Sequence, residues 1–508
     1  MNRMVSIMLR WLIAAVLAAG ILPAAAQEPK YGGTLRVGLA DDAKSLDPTF
    51  QVNFSERQPL YLIYNTIFKL GSDLSIQPEL ATDWAFSDDR LSLTIHLREG
   101  VKFHDGTVLD AAAVKWNLDH RMDPAVNSPS ANALTSVIKQ VTAPDSKTVV
   151  IELKSPAPAL PGMLAQREGF IVSPTAAQAA GEQFGLNPVG SGPFKFKEWA
   201  LGHIVLEKNP DYWERGKPYL DSVVFNLVPD ATTALPRLLT RELDAIDQLS
   251  SFDIRALQRD ESLVFVPSPG ARWISLHMVT TSPPFDDVRV RQALAYGLDR
   301  NKIVEIVTGG SGKIANGPTP PSLWWYNPNL TSYPYDPVRA KQLLAEAGHA
   351  DGLSITLALP PVASYRPLSQ LVQEQLKLVG IDVTIRPVSR SEWAELLMNG
   401  KINFIPILWT QRPDPDGLLS LLLQSNSSQN WTKYSNPDFD ALLARGREEG
   451  DVEKRKAIYW KAEELLAKDL PYLSLYFPVA YEGLQSYVRN FQWVPDEIPR
   501  YRDIWIDK

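Results

Sequence analysis

Side chains that commonly do chemistry are sparse in this sequence, and those present are not spaced for it. None of the 508 residues is cysteine, which removes disulfides, thiolate metal sites and a cysteine nucleophile together. The six histidines contain no i, i+4 pair that could hold zinc on a helix, and His96 and His104 flank the end of an expected strand. Gly309-Gly310-Ser311-Gly312-Lys313 looks like a phosphate loop, but Val307 stands where its first glycine belongs and Ile314 where its Ser or Thr belongs. Gly190-Ser191-Gly192-Pro193 lacks the glycines two positions either side that a nucleophile elbow needs. With 58 acidic residues a carboxylate pair is always available, so an extracytoplasmic hydrolase stays a formal rival to a protein that only binds. The expectation is a non-enzyme with no metal and no cofactor.

The elements that would position a binding site fall into two halves. As far as Pro267 the chain reads mainly as strands of β-branched and aromatic residues: Thr34 to Ala40, Leu91 to Leu97, Thr148 to Leu153, Phe194 to Trp199, His203 to Lys208 and Val223 to Val228. Two helical stretches interrupt them, Glu56 to Phe68 and Asp110 to Arg121. The second half alternates helix and strand, which implies an α/β lobe. Asp336 is an N-cap with Pro337 at the first helical position, and Gly348 closes that helix. Pro367 to Val379 stops at Gly380 before the strand Ile381 to Pro387, and Ser389 with Glu392 form a capping box for a helix that ends at Gly400. The strand Ile402 to Trp409 follows, then the helices Pro437 to Glu449 and Asp451 to Lys468 and the strand Tyr472 to Phe477. The tail from Tyr481 is too short to form a domain and is expected to return to the first lobe. Two short crossings would then join the lobes, near 267–273 and 477–483, and make a hinge.

Residues 1–26 read as a cleavable signal peptide: Arg3 and Arg10, an uncharged core from Trp11 to Leu22, then Ala24, Ala25 and Ala26. That core is shorter than the roughly 20 apolar residues of a spanning helix. The formal charge of −7 becomes more negative once Arg3 and Arg10 are removed, which argues against nucleic acid as a partner. Without a cysteine to carry lipid, the expected location is the periplasm, free of any anchor, and the expected state is a monomer.

Read in order, several segments together resemble the peptide, nickel and opine binding proteins of ABC importers, the family 5 solute-binding proteins. They are Tyr31-Gly-Gly-Thr-Leu-Arg-Val-Gly, Ser45-Leu-Asp-Pro, Pro78-Glu-Leu-Ala-Thr-Asp-Trp, the run from Leu93 to Gly106, Gly190-Ser-Gly-Pro-Phe, Asn209-Pro-Asp-Tyr-Trp, the run from Asp286 to Tyr296, and Asp336-Pro-Val-Arg-Ala-Lys-Gln-Leu-Leu. The resemblance implies a two-lobed α/β fold of the periplasmic binding protein type, class II. It divides the chain into lobe I over 27–267, with a subdomain inserted at about 56–185, lobe II over 268–478, and a C-terminal return over 479–508. The turns Arg98-Glu99-Gly100 and His104-Asp105-Gly106, and the helix carrying Arg289 and Arg291 on its solvated side, read as structural. The implied function is capture of a peptide or peptide-like solute between the lobes and delivery to permease subunits, with an anionic solute such as an opine or organic acid as the alternative.

By the same resemblance the ligand meets the loop after the first strand, Asp41, Asp42 and Ala43. It also meets the segment Trp409, Thr410, Gln411, Arg412, Pro413, Asp414, Pro415, Asp416 and Gly417, then Asn430 and Trp431, and the hinge-strand residues Trp273 and Tyr476. Peptide-binding members place an aspartate soon after the equivalent of Trp409 to pair with a peptide amine. Here the third residue after it is Arg412. Three readings stay open. Arg412 presents a planar donor fork to a ligand carboxylate or phosphate; a shifted loop lets Asp414 meet the amine; or Arg412 pairs internally with Asp414 or Asp416. Trp324, Trp325 and Trp393 are expected in the core.

Overall fold

The computed structural model describes residues 28–508, apart from 41–42, 51–53, 201, 230, 250, 256, 258, 269–271, 363 and 399–402. The signal-peptide segment, Asp41 and Asp42 therefore lie outside the described residues. Among the described residues no helix is long and apolar enough to cross a membrane.

Lobe I is built on a seven-stranded sheet in the order Leu263–Pro267, Tyr481–Gln485, Ala245–Leu249, Thr34–Leu39, Ser222–Leu227, His203–Lys208 and Phe194–Ala200. The central Thr34–Leu39 strand runs parallel to both neighbours, so three strands end on one edge, beside lobe II. Open α/β sheets bind ligands at that kind of edge. The inserted unit has its own four-stranded antiparallel sheet, in which Leu93, Ile95, Val149 and Ile151 alternate inward beneath the helix Ala111–Met122. Within lobe I its buried apolar core runs from Ile67 to Ile171.

The helix expected from Glu56 to Phe68 spans Phe54–Ile63, and Phe68–Leu70 is instead a strand paired with Ile76–Pro78. Tertiary hydrogen bonds end it. The Ile63 carbonyl accepts from the Gly192 N–H at 2.8 Å, and the Ile67 N–H donates to Gly169 at 3.0 Å, so the two groups that would extend the helix are used elsewhere. Gly190 and Gly192 permit this approach, since a Cβ on either would fall 2.1 to 2.3 Å from the carbonyls of Ile63 and Leu62.

Lobe II centres on an antiparallel sheet ordered Lys313–Ile314, Tyr472–Phe477, Arg272–Met278 and Phe404–Thr410, with a parallel pair, Leu353–Leu359 and Ile381–Pro387, beside it. Its capping signals act as the residue types require. Asp336 accepts from the Arg339 N–H at 2.9 Å, and Ser389 accepts from the Glu392 N–H at 3.1 Å. Arg291 corrects the reading of a solvated helix face: it is buried, and its guanidinium donates to the carbonyls of Phe285 and Asp469, while Arg289 stays exposed and pairs with Asp287.

The two crossings lie side by side. Ser268 donates its N–H to Ala480 at 2.7 Å, and the register pairs Pro267 with Tyr481. Buried Glu497 of the C-terminal tail clasps this point, accepting from Ser268 Oγ at 3.0 Å and pairing with Arg272 at 2.7 Å. Away from the hinge the lobes also touch. Leu323 and Trp325, from a lobe II loop, are built into the inserted unit's core, and Arg90 lies against Gly450.

That loop is anchored by Glu463. Its carboxyl is bonded by the Thr319 hydroxyl, which accepts the Trp325 indole N–H at 3.2 Å. Complete burial pushes the Glu463 carboxyl up to about 8, whereas an unfolded chain ionises near 4.3. Between those values the native state holds a proton that the unfolded state has lost, so stability falls as pH rises across the window and levels off above it. Urea unfolding from pH 5 to 9 should show this slope in the wild type, and Glu463→Gln should flatten it; an unchanged slope in the variant contradicts the assignment.

Candidate functional site

The segment after Trp409 is shaped by its neighbours on either side. The strand Phe404–Thr410 pairs with the hinge strand so that Arg272 faces Thr410 and Trp273 faces Trp409, which brings the strand's end to the lobe boundary. The helix Pro415–Leu423 then starts, with Asp414 as its N-cap accepting from the Asp416 N–H at 2.9 Å. The proline-rich stretch is thus a strand end and a helix start with three residues between them, Gln411, Arg412 and Pro413.

Both aspartates are committed inside lobe II. Asp414 forms a bidentate pair with buried Arg455 at 2.5 and 2.7 Å. Asp416 receives Arg447 at 2.9 Å and the Ser420 hydroxyl at 2.6 Å. Neither takes Arg412. Among the described residues the Arg412 guanidinium makes no hydrogen bond and no ion pair. It extends instead toward lobe I. Burial and the nearby guanidinium of Arg57 hold its pKa below the usual arginine value, with Arg167 adding to that effect and Glu168 opposing it. Pro413 fixes the approach by packing on Gly162, where a Cβ would stand 3.1 Å from the proline Cβ.

On the lobe I side, Arg57 is buried on the helix Phe54–Ile63. Burial lowers its pKa too, and Arg167 contributes. Arg167 pairs with Glu168 at 2.7 Å on a short turn. Fully buried Arg121 holds that turn by donating to the carbonyls of Glu168 at 3.3 Å and Phe170 at 2.5 Å. One helical turn beyond Arg57, the Tyr61 ring carries the Arg500 guanidinium 3.5 Å above it. The loop after the first strand is tied to the same helix, since the Lys44 N–H donates to Glu56 at 2.9 Å; Ala43 beside it is buried.

Four of the expected site residues turn inward, which corrects that part of the expectation. Trp273 is fully buried and donates its indole N–H to Ser474 at 3.0 Å. Tyr476 is packed in the core of lobe II. Asn430 clasps its own loop through the carbonyls of Gln424 and Tyr434 at 3.2 and 2.7 Å, and Gln411 donates to the Pro318 carbonyl at 2.5 Å. The Trp273 indole, the Asn430 amide and the Gln411 amide N–H find partners within lobe II, which sequence type alone does not reveal. Thr410, Trp409 and Trp431 stay partly exposed, the two indoles 5.2 Å apart. Trp325 is in the core as expected, shared between the lobes. Arg57, Arg167 and Glu168 were not expected at the site, and the inserted unit brings the last two there.

The arrangement can hold an anion. The charges of Arg57, Glu168 and Arg167 on lobe I act on Arg412 across the boundary, and the Glu168 carboxylate is bonded to Arg167. Among the described residues no group of three metal-ligating side chains is present. Residues 75–430 match the family model described as bacterial extracellular solute-binding proteins, family 5 middle. The chain belongs to family 5. The family and its fold are those of binding proteins, and its two lobes joined by two crossings suit capture by closure. A glutathione-binding protein GsiB of Salmonella paratyphi A is 31% identical over 502 residues, covering 96% of each chain. Among solved structures, HbpA2 from Haemophilus parasuis superposes with a TM-score of 0.85 at 26% identity, over 94% of this chain and 100% of that one. The periplasmic binding protein DppA from Helicobacter pylori, in complex with the peptide STSA, gives 0.81 at 27% identity, over 94% of this chain and 99% of that one.

Asp414 and Arg412 should respond in opposite ways to truncation. Asp414→Ala strands buried Arg455 and should cost about 3–5 kcal/mol, whereas Arg412→Ala removes a charge with no paired partner and should cost less than about 1 kcal/mol. Denaturant unfolding of both variants checks this. Equal losses would mean that Arg412 is part of the structural ion-pair network.

Proposed function

We propose that this family 5 protein, exported by its N-terminal segment, is the monomeric capture component of an ABC importer. The solute is peptide-like and carries a carboxylate, with glutathione the first candidate. It binds between the lobes with its carboxylate on Arg412, Arg57 flanking, while Trp409 and Trp431 offer an aromatic wall. The closed form then docks on the permease.

The observation that carries this reading is Arg412. A guanidinium that is partly buried, beside two others, with no hydrogen bond among the described residues is costly to maintain. A carboxylate matches its planar fork. The names of the relatives point the same way, since glutathione is a peptide with two carboxylates and one amine. Asp414 is a poor amine receptor because both of its oxygens serve Arg455.

Isothermal titration with glutathione, short peptides and opines tests the proposal. An anionic peptide-like ligand should bind without turnover, and Arg412→Ala should weaken it by roughly 10- to 100-fold, the range for hydrogen bonds to a charged group. Binding unaffected by that change, or hydrolysis of the ligand, would overturn the reading.

A further inference from the structure

Arg412 lies at the boundary where the lobes meet, so its electrostatics belong to closure as well as to binding. It stands between a strand end and a helix N-cap, both fixed, and Pro413 against Gly162 sets where it arrives on lobe I. What it meets there is Arg57 and Arg167, with Glu168 bonded at 2.7 Å to Arg167. Arg121, by holding the carbonyls of Glu168 and Phe170, prevents that turn from swinging away. Asp414 and Asp416, the acids nearest in sequence, are held by Arg455 and Arg447 and do not compensate. Closing the lobes therefore brings like charges together in a region from which water is being removed, where repulsion is strongest.

We infer that this arginine junction is a charge gate: the ligand's carboxylate is the bolt that allows the lobes to close, so the importer's cargo is restricted to solutes that place an acid between Arg412 and lobe I. The inference rests on the reading of the cleft as the solute site, and deepens it by making closure, and not contact alone, depend on the ligand's charge. The favourable side of closure is apolar and hydrogen-bonded. Leu323 and Trp325 enter the core of the inserted unit, and Arg255 donates to the Gly309 carbonyl across the boundary. That attraction does not discriminate between ligands. The arginine junction does, because a ligand shifts the equilibrium only by what it contributes differently to the open and closed forms.

The gate makes one substitution change two properties in opposite directions. Arg412→Met removes the repulsion, so the ligand-free protein should become more closed while its affinity for acids falls. Small-angle scattering reads the first. The ligand-free wild type should have a larger radius of gyration at about 20 mM salt than at about 500 mM, where screening is strong; the variant should be compact at both, and Arg412→Lys should behave as wild type. Calorimetry reads the second with two probes of equal size, the tripeptide Glu-Ala-Gly and its uncharged counterpart Gln-Ala-Gly-amide. The wild type should prefer the acid by at least about tenfold, and Arg412→Met should reduce that preference below about threefold. A ligand-free radius that responds neither to salt nor to Arg412→Met overturns the gate even if both peptides bind. If neither peptide nor glutathione binds the wild type and the salt response persists, the solute reading fails and with it the carboxylate bolt, while the repulsion between the lobes stands.

Discussion

A guanidinium that leaves water needs an acceptor. Most of the buried arginines here have one within the protein: Arg455 holds Asp414, Arg291 and Arg121 hold main-chain carbonyls, and Arg502 holds Glu79 and Glu214. Among the described residues Arg412 is the exception in lobe II. The surrounding structure is arranged to keep it so. Its neighbouring acids are used as a helix cap and as partners for other cations, and on lobe I the acid that acts on it, Glu168, is already bonded to Arg167. A binding site built on an unmet requirement gains affinity from whatever meets it.

The supporting parts have different kinds of rigidity. The parallel strands of lobe I and the antiparallel hinge sheet of lobe II present their ends to the same boundary, and the Glu497 clasp on Ser268 and Arg272 keeps the two crossings together. The inserted unit contributes more than bulk. It supplies Arg167 and Glu168 to the site, Gly162 to receive Pro413, and a core into which Trp325 fits. Glu463, neutral at neutral pH because burial pushes its carboxyl up to about 8, holds the loop that carries Trp325. Attraction at that loop and repulsion at the arginines act on the same motion.

Much of the scaffold was legible in the residues. The Asp336 cap with Pro337, the Ser389 cap, the strand from Ile381 and the strand leading to Trp409 follow from local chemistry, and local chemistry decided them. The end of the Phe54–Ile63 helix was not legible, because Gly192 and Gly169, more than 100 residues away, take its backbone groups. In the proline-rich segment, aspartate followed by proline marks a helix start, and Asp414-Pro415 is one. At the site, Arg412 could be singled out from its distance to Trp409. Trp273 and Tyr476 were placed there by family habit and turn into the core. Arg57 and Arg167 carry no sequence mark that separates them from surface cations, since only the folding of the inserted unit against the first helix brings them near Arg412.

The central claim is that a solute carboxylate completes the arginine junction between the lobes, and a crystal structure with glutathione bound tests it most directly. The account predicts closed lobes with a glutathione carboxylate about 2.7–2.9 Å from the Arg412 guanidinium, and Arg57 on the same anion's other side. Closed lobes with glutathione elsewhere in the cleft, or with Arg412 turned away and its carboxylates bound by other groups, would contradict it.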